Sequence, residues 1–351
     1  MDRFGIGKIG LPGFGVGEFR LPVFGGSGSG NGGQGNAFHE SIVDAWFMSG
    51  YANGDSPASI RGVKGNELQL RNFAYALDSG FGKYTVNWDS FYGSNGVNAN
   101  FTNSDSVIHL TEILVADGKF LQTNADRTIE ACQIKVEGIT DDIKLRYVSY
   151  AEDGTGTYTY LKNGINNLPI SYKKYTGFAA SVVGTCNITI TQLPSAYEGA
   201  LVFDGVDDYG ICTRLPIMTD YTVICRRVLE NNANNVVASK SIKIGNGAFI
   251  FEYGNNATYS FSEYASIGQN INLEDFVSYQ TKNSYNGSTI TVGNADDTDT
   301  LTLGIIREGD SKLLKGAIYY FALYNKSLTI EEIETEKAKL ENMWDSKLNK
   351  S

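Results

Sequence analysis

The chain has 351 residues, 42% hydrophobic and 19% charged, the balance of a folded protein with room for about two domains; general disorder is excluded. With 39 acids against 29 bases and a net charge of −10 it repels phosphate backbones, so nucleic acid is not an expected partner. No stretch approaches the roughly 20 apolar residues of a membrane helix, no secretory signal is legible, and 2 histidines beside 4 cysteines without a CxxC pair are a poor basis for a zinc site.

Residues 1–37 read as a docking arm and linker. They hold 13 of the 40 glycines and contain a short repeat. Phe4 to Gly13 aligns with Phe14 to Val23, and Phe24 starts a third copy. Glycine costs too much backbone entropy for this segment to fold alone. Yet a plain linker would not carry Phe4, Ile6, Leu11, Pro12, Phe14, Val16, Leu21, Pro22 and Phe24. These nine are the expected anchoring residues, ordered when the arm docks on a partner. Residues 25–36 are linker in composition.

Residues 38–82 open the folded part. Ile42 to Phe47 fits a strand or a short helix, whereas Asn66 to Phe73 alternates polar and apolar as a half-buried strand does, after a turn marked by Gly62 and Gly65. Residues 83–198 contain regular short strands: Cys132 to Val136, Ile143 to Tyr147, a turn at Asp153-Gly154 leading to Thr157 to Tyr160, and Cys186 to Ile190. That rhythm predicts a small β-sandwich. Residues 199–328 return to strands after the tight turn Asp204 to Asp208. The four cysteines, Cys132, Cys186, Cys212 and Cys225, have strand-like neighbours and are expected to be reduced, buried thiols. Residues 329–351 form a helix. Thr329 and Glu332 make a capping box, acids precede bases along it, and Ile330, Ile333, Leu340 and Trp344 share a face.

The run Ala200 to Tyr209 (ALVFDGVDDY), with Leu314 to Thr329 and Glu331 to Ile333, resembles the two ends of concanavalin A-like/laminin G-like domains. The resemblance covers about 199–340 and extends to 40–82. With Ile42 to Trp46, Gly62 to Gly65 and Leu68 to Ala74, the pattern is similar to proteins of crAss-like and other tailed phages that infect Bacteroidales. The expected fold is therefore all-β: a laminin G-like (concanavalin A-like) β-sandwich in two parts, 38–82 and 199–328. A second β-sandwich, 83–198, is inserted in it; a glycine-rich arm precedes it and a C-terminal helix follows. The resemblance implies a structural virion protein, a head fibre or capsid decoration, made in the bacterial host cytoplasm. Its arm would bind other virion proteins of the capsid or tail, and its sandwich would face host-surface glycans. Phage fibres are commonly trimers, so a homotrimer is implied. A tail fibre or receptor-binding protein, and a free carbohydrate-binding adhesin, are the alternatives.

No enzyme is expected. Glycanases on concanavalin-like sandwiches carry Glu-x-Asp-x-x-Glu on one strand, and that pattern is missing. A Ser-His-Asp triad would have to use His39 or His109, without a Gly-x-Ser-x-Gly elbow. No cofactor is expected. Calcium is the metal for which residues exist, at Asp204, Asp207 and Asp208 or at Asp296, Asp297 and Asp299; an Asp-Gly hairpin and a solvated turn are the simpler roles. Tyr- and Asn-rich loops at 253–264 and 279–286 hold the residue types that stack on sugars, and equally those of ordinary strand surface and core.

Overall fold

A computed structural model describes residues 37–52, 55–231, 235–241, 246–254, 256–267, 270–307 and 312–349. The anchoring residues Phe4, Ile6, Leu11, Pro12, Phe14, Val16, Leu21, Pro22 and Phe24 lie outside them. Phe38–Ser351 forms one compact unit. It is all-β, with antiparallel sheets and a C-terminal helix.

Sheet I has eight strands, in the order Ser288–Thr289, Ser284–Tyr285, Phe276–Thr281, Thr222–Leu229, Lys315–Tyr324, Ala196–Asp204, Gly80–Lys83, with Ile42–Phe47 also pairing Lys315–Tyr324. Sheet II also has eight, running Ser59–Arg61, Glu67–Arg71, Tyr209–Cys212, Leu301–Leu303, Val236–Lys240, Phe249–Tyr253, Ala257–Ser260, Glu263–Ser266. Their facing side chains, among them Trp46, Phe81, Phe203, Phe321, Leu68, Phe249, Phe251 and Leu303, make one core. The other face of sheet I is covered by the helix Ile330–Leu348 through Ile333, Leu340 and Trp344. Ile42–Phe47 and Lys315–Tyr324 are thus buried on both faces, which is why they read as unbroken apolar runs instead of alternating. The strand alternative for Ile42 to Phe47 holds. The capping box forms: Thr329 Oγ1 accepts from Glu332 N at 3.2 Å and Glu332 Oε2 from Thr329 N at 2.8 Å. Ile330 does not join the buried face. It is 63% exposed at the first helical position, and Glu336 is buried in the seam instead, accepting from Tyr324 Oη.

Sheets III and IV are built from residues 92–192. Sheet III runs Gly156–Tyr160, Leu145–Tyr150, Gly177–Ala180, Lys119–Gln122, Tyr92–Gly93; sheet IV runs Gly164–Leu168, Cys132–Glu137, Gly184–Gln192, Val107–Ile113, Ala99–Asn103. A separate core lies between them, with Phe120, Leu145, Tyr147 and Phe178 facing Ile108, Leu110, Ile134, Val136, Ile188 and Ile190, and Trp88 packed edge-on to Phe178. The chain leaves sheet I at Lys83 and returns at Ala196, and these two residues are paired neighbours in that sheet. Buried Gln192 ties the crossing: its Oε1 accepts from Thr85 N and Val86 N, and its Nε2 donates to Val86 O.

Candidate functional site

The Asp204 to Asp208 turn joins a strand of sheet I to one of sheet II. Gly205 takes a positive φ of 76°, the conformation that favours glycine. Asp204 Oδ1 accepts from Val206 N at 2.7 Å and Asp207 N at 3.4 Å, the side-chain turn that Asp makes over its own following backbone. Asp208 is 1% exposed; its Oδ2 accepts from Asp204 N at 3.1 Å and its Oδ1 from Ser79 Oγ at 3.0 Å. Burial pushes its carboxyl up to about 7, with the charges of Asp204 and Asp207 adding to the rise and the hydrogen bonds from Ser79 and Asp204 opposing it. One oxygen from each of the three carboxylates falls within 4.8 Å of the others. Calcium takes six to eight oxygens; three carboxylates gather here, and of their oxygens Asp204 Oδ1 and both Asp208 oxygens already accept hydrogen bonds from the turn and from Ser79. The hairpin accounts for the placement of Asp204 and Asp208, whereas the Asp207 carboxylate is exposed.

The second acidic loop carries its own cation. Lys240 is fully buried, and its Nζ donates to Asp297 Oδ2, Thr298 O and Pro216 O. Met218 N donates to the same Asp297 oxygen at 2.7 Å. Burial pulls the Lys240 ammonium below its usual range, and Asp297 works against that. Of the three carboxylates in this loop, Asp297 is the one that holds the ammonium, through Oδ2.

Among the described residues the two histidines sit in different settings. His109 Nδ1 meets Thr189 Oγ1 across a strand pair at 3.3 Å. His39 Nδ1 lies 2.7 Å from Ser41 Oγ and accepts from Ser41 N, while Nε2 lies 3.3 Å from Glu332 Oε1. The depression beside it is lined by Glu331, Glu332, Thr335, Glu336 and Lys339, with Lys339 paired to Glu336 at 2.6 Å. Asp275, the neighbour of Glu274, is clamped by Arg226 Nε and Nη2 at 2.8 and 2.7 Å. The four cysteines are free thiols; Cys212 and Cys225 are buried and Cys132 and Cys186 half-buried. Burial pushes the Cys132 and Cys212 thiols up to about 12, which leaves them poor nucleophiles.

The tyrosines of the 253–264 and 279–286 loops are mostly packed away. In the 279–286 loop, Tyr279 is buried beneath the helix, and Tyr285 lies in the core, donating to Glu252 Oε1. In the 253–264 loop, Tyr253, Tyr259 and Tyr264 pack edge-to-face in series at 5.6 and 5.4 Å, and Tyr264 alone is exposed. The denser display is on sheet III, which sequence reasoning passed over. Paired residues Tyr92, Gln122, Gly177, Val148 and Tyr158 form a row across all five strands; Lys119, Ala179, Arg146 and Tyr160 form the next. Val148 and Ala179 are buried yet do not belong to the core between the sheets, so long side chains of this outer face cover them. Tyr158 is 56% and Tyr160 61% exposed. The available signal was Thr157-Tyr158-Thr159-Tyr160: with period two, both rings must share a face.

No protein-family model matches the chain, and no curated protein does. Among solved structures it is similar to Trypanosoma rangeli sialidase in complex with the inhibitor DANA, at 10% identity and a TM-score of 0.26, covering 79% of this chain and 67% of that one. The same sialidase in complex with sialic acid matches at 9% identity and a TM-score of 0.25, over the same shares. Likeness at that level carries no conclusion about fold or chemistry.

Proposed function

We propose that the protein is a non-enzymatic virion component, a head fibre or capsid decoration, held by its N-terminal arm and displaying β-sandwiches that adhere to host-surface glycans. The observation that carries the adhesive part is the tyrosine-rich outer face of sheet III, with Tyr92, Tyr158 and Tyr160 open to solvent. Aromatic rings left this exposed are suited to binding. The virion part rests on the resemblance of 199–340 and 40–82 to phage laminin G-like proteins and on the repeated Phe/Leu-Pro arm. Copies would associate as a closed homo-oligomer, a trimer by that same resemblance. A tail fibre fits the same reasoning. A free carbohydrate-binding adhesin is the second reading, favoured by the tyrosine face, which needs no arm.

Cosedimentation separates these readings. Full-length protein and protein lacking residues 1–37 are mixed with capsids and, separately, with tails of a phage that encodes the protein. Pelleting of the full-length form alone supports arm anchoring, and the particle that carries it down assigns head or tail. Equal behaviour of the two forms would refute anchoring and leave the free adhesin.

A further inference from the structure

Resting on the adhesive reading above, we infer that the outer face of sheet III is a binding platform for an acidic polysaccharide, whose sugar rings stack on tyrosines and whose carboxylate or sulfate groups meet Lys119, Arg146 and Lys174. The geometry supplies both halves of that recognition. The row from Tyr92 to Tyr158 crosses four strand spacings, roughly 19 Å at about 4.8 Å each, a span of several sugar units. Its floor is low: Gly177 has no side chain, and a Cβ there would lie 1.9 Å from Leu121 O, so none can be added. Ala179 and Val148 complete the floor.

Above the floor, cations and rings alternate. The Arg146 guanidinium sits 4.7 Å from the Tyr158 ring centre. The Lys119 ammonium lies 5.1 Å from the Tyr150 ring and 5.6 Å from the Tyr175 ring, and donates to Tyr150 Oη and Tyr175 O. Lys174 Nζ is 5.1 Å from the Tyr175 ring. The acids beside these cations are Asp117, paired to Arg146 Nη2 at 3.0 Å, and Asp126, whose Oδ1 accepts from Lys174 N at 2.8 Å, while Asp153 on the neighbouring turn faces Lys173. The Lys119 and Lys174 ammonium groups contact phenol rings and oxygens in place of a carboxylate, and on a chain of net charge −10 these two charges favour an anion at this face. Three cations interleaved with phenols suit one charge per sugar repeat. The far denser charge of a nucleic acid would meet the acidic remainder of the chain at every step.

The test is affinity electrophoresis of the full-length protein through gels containing polygalacturonate, chondroitin sulfate or neutral mannan. Retardation by at least one of the two acidic polymers but not by mannan is expected. Tyr158→Ala/Tyr160→Ala should weaken it about ten-fold or more, two stacked rings being removed. Lys119→Gln/Arg146→Gln should weaken it and flatten its dependence on salt. Unchanged melting of the variants keeps loss of fold from imitating loss of site. The inference is overturned by retardation equal in mannan, by none in either acidic polymer, by competition from oligo(dT) at equal charge concentration, or by variants that bind like wild type. A protein that cosediments with capsids through its arm yet ignores both acidic polymers would lose this site and keep its virion role.

Discussion

The charged residues inside this protein are structural tools, and Asp208 is the one whose protonation can be followed. An unfolded aspartate titrates near 3.8, whereas folded Asp208 is raised to about 7. Between those values the folded chain holds a proton that the unfolded chain has released. Stability from this group is therefore full below pH 4 and is lost as pH rises through 7. Asp208→Asn keeps the shape and cannot ionise. Melting measured from pH 4 to 8 should show wild type falling relative to the variant, by roughly 2 kcal/mol at pH 8 after allowing for water reaching the turn. A constant difference across that range would contradict the assignment. Arg227 and Glu252 supply a second case. Both are buried; Arg227 Nη2 and Nε donate to Glu252 at 2.7 and 2.6 Å, and Tyr285 Oη adds a third bond. Arg227→Met strands the carboxylate and should cost about 3–5 kcal/mol by urea unfolding, with much of the loss recovered in Arg227→Met/Glu252→Leu. Neither arrangement was legible beforehand. The Asp triplet stood out in the sequence, but Ser79 lies 129 positions from Asp208, and no local pattern announces such a partner.

Elements were more legible, to the degree that their signals are local. The Thr329–Glu332 capping box sits within four residues and forms as read. Thr329→Ala removes the acceptor for Glu332 N and should cost about 1 kcal/mol, read as a lower melting temperature with helix content otherwise retained. The hairpin at Asp153-Gly154 follows for the same reason: Gly154 takes a φ of 88°, and Arg146 to Tyr150 pairs with Gly156 to Tyr160. Ile330 was misplaced by periodicity, because a first-turn residue can point past the sheet edge while Glu336, a charged residue, is buried by pairing with Tyr324 and Lys339. The tyrosine face was hidden differently. Alternation at Thr157 to Tyr160 fixes that two rings share a side, but which side faces water depends on sheet IV covering the other. That is a tertiary fact.

At the scale of the molecule, the decisive feature is where the second sandwich enters. Lys83 and Ala196 are Cα partners in sheet I, so the ends of the intervening segment already sit at hairpin distance. The two cores share no residue. Closing that gap needs a turn of a few residues, and the entropy of a short loop differs little from that of a long one. Replacing residues 84–195 with a short Gly-Asn turn should thus leave sheets I and II, and the helix covering sheet I, intact. The shortened chain is expected to unfold in one cooperative step, with a denaturant slope reduced in proportion to the surface lost with the second core. It should also lose the retardation by acidic polysaccharide assigned to sheet III, while its arm-dependent cosedimentation persists. Collapse of the shortened chain into an aggregate would mean that sheet I draws its stability from the inserted sandwich. The route of the chain argues otherwise, because the strand that returns at Ala196 pairs with Gly80–Lys83 and Lys315–Tyr324, both within sheet I.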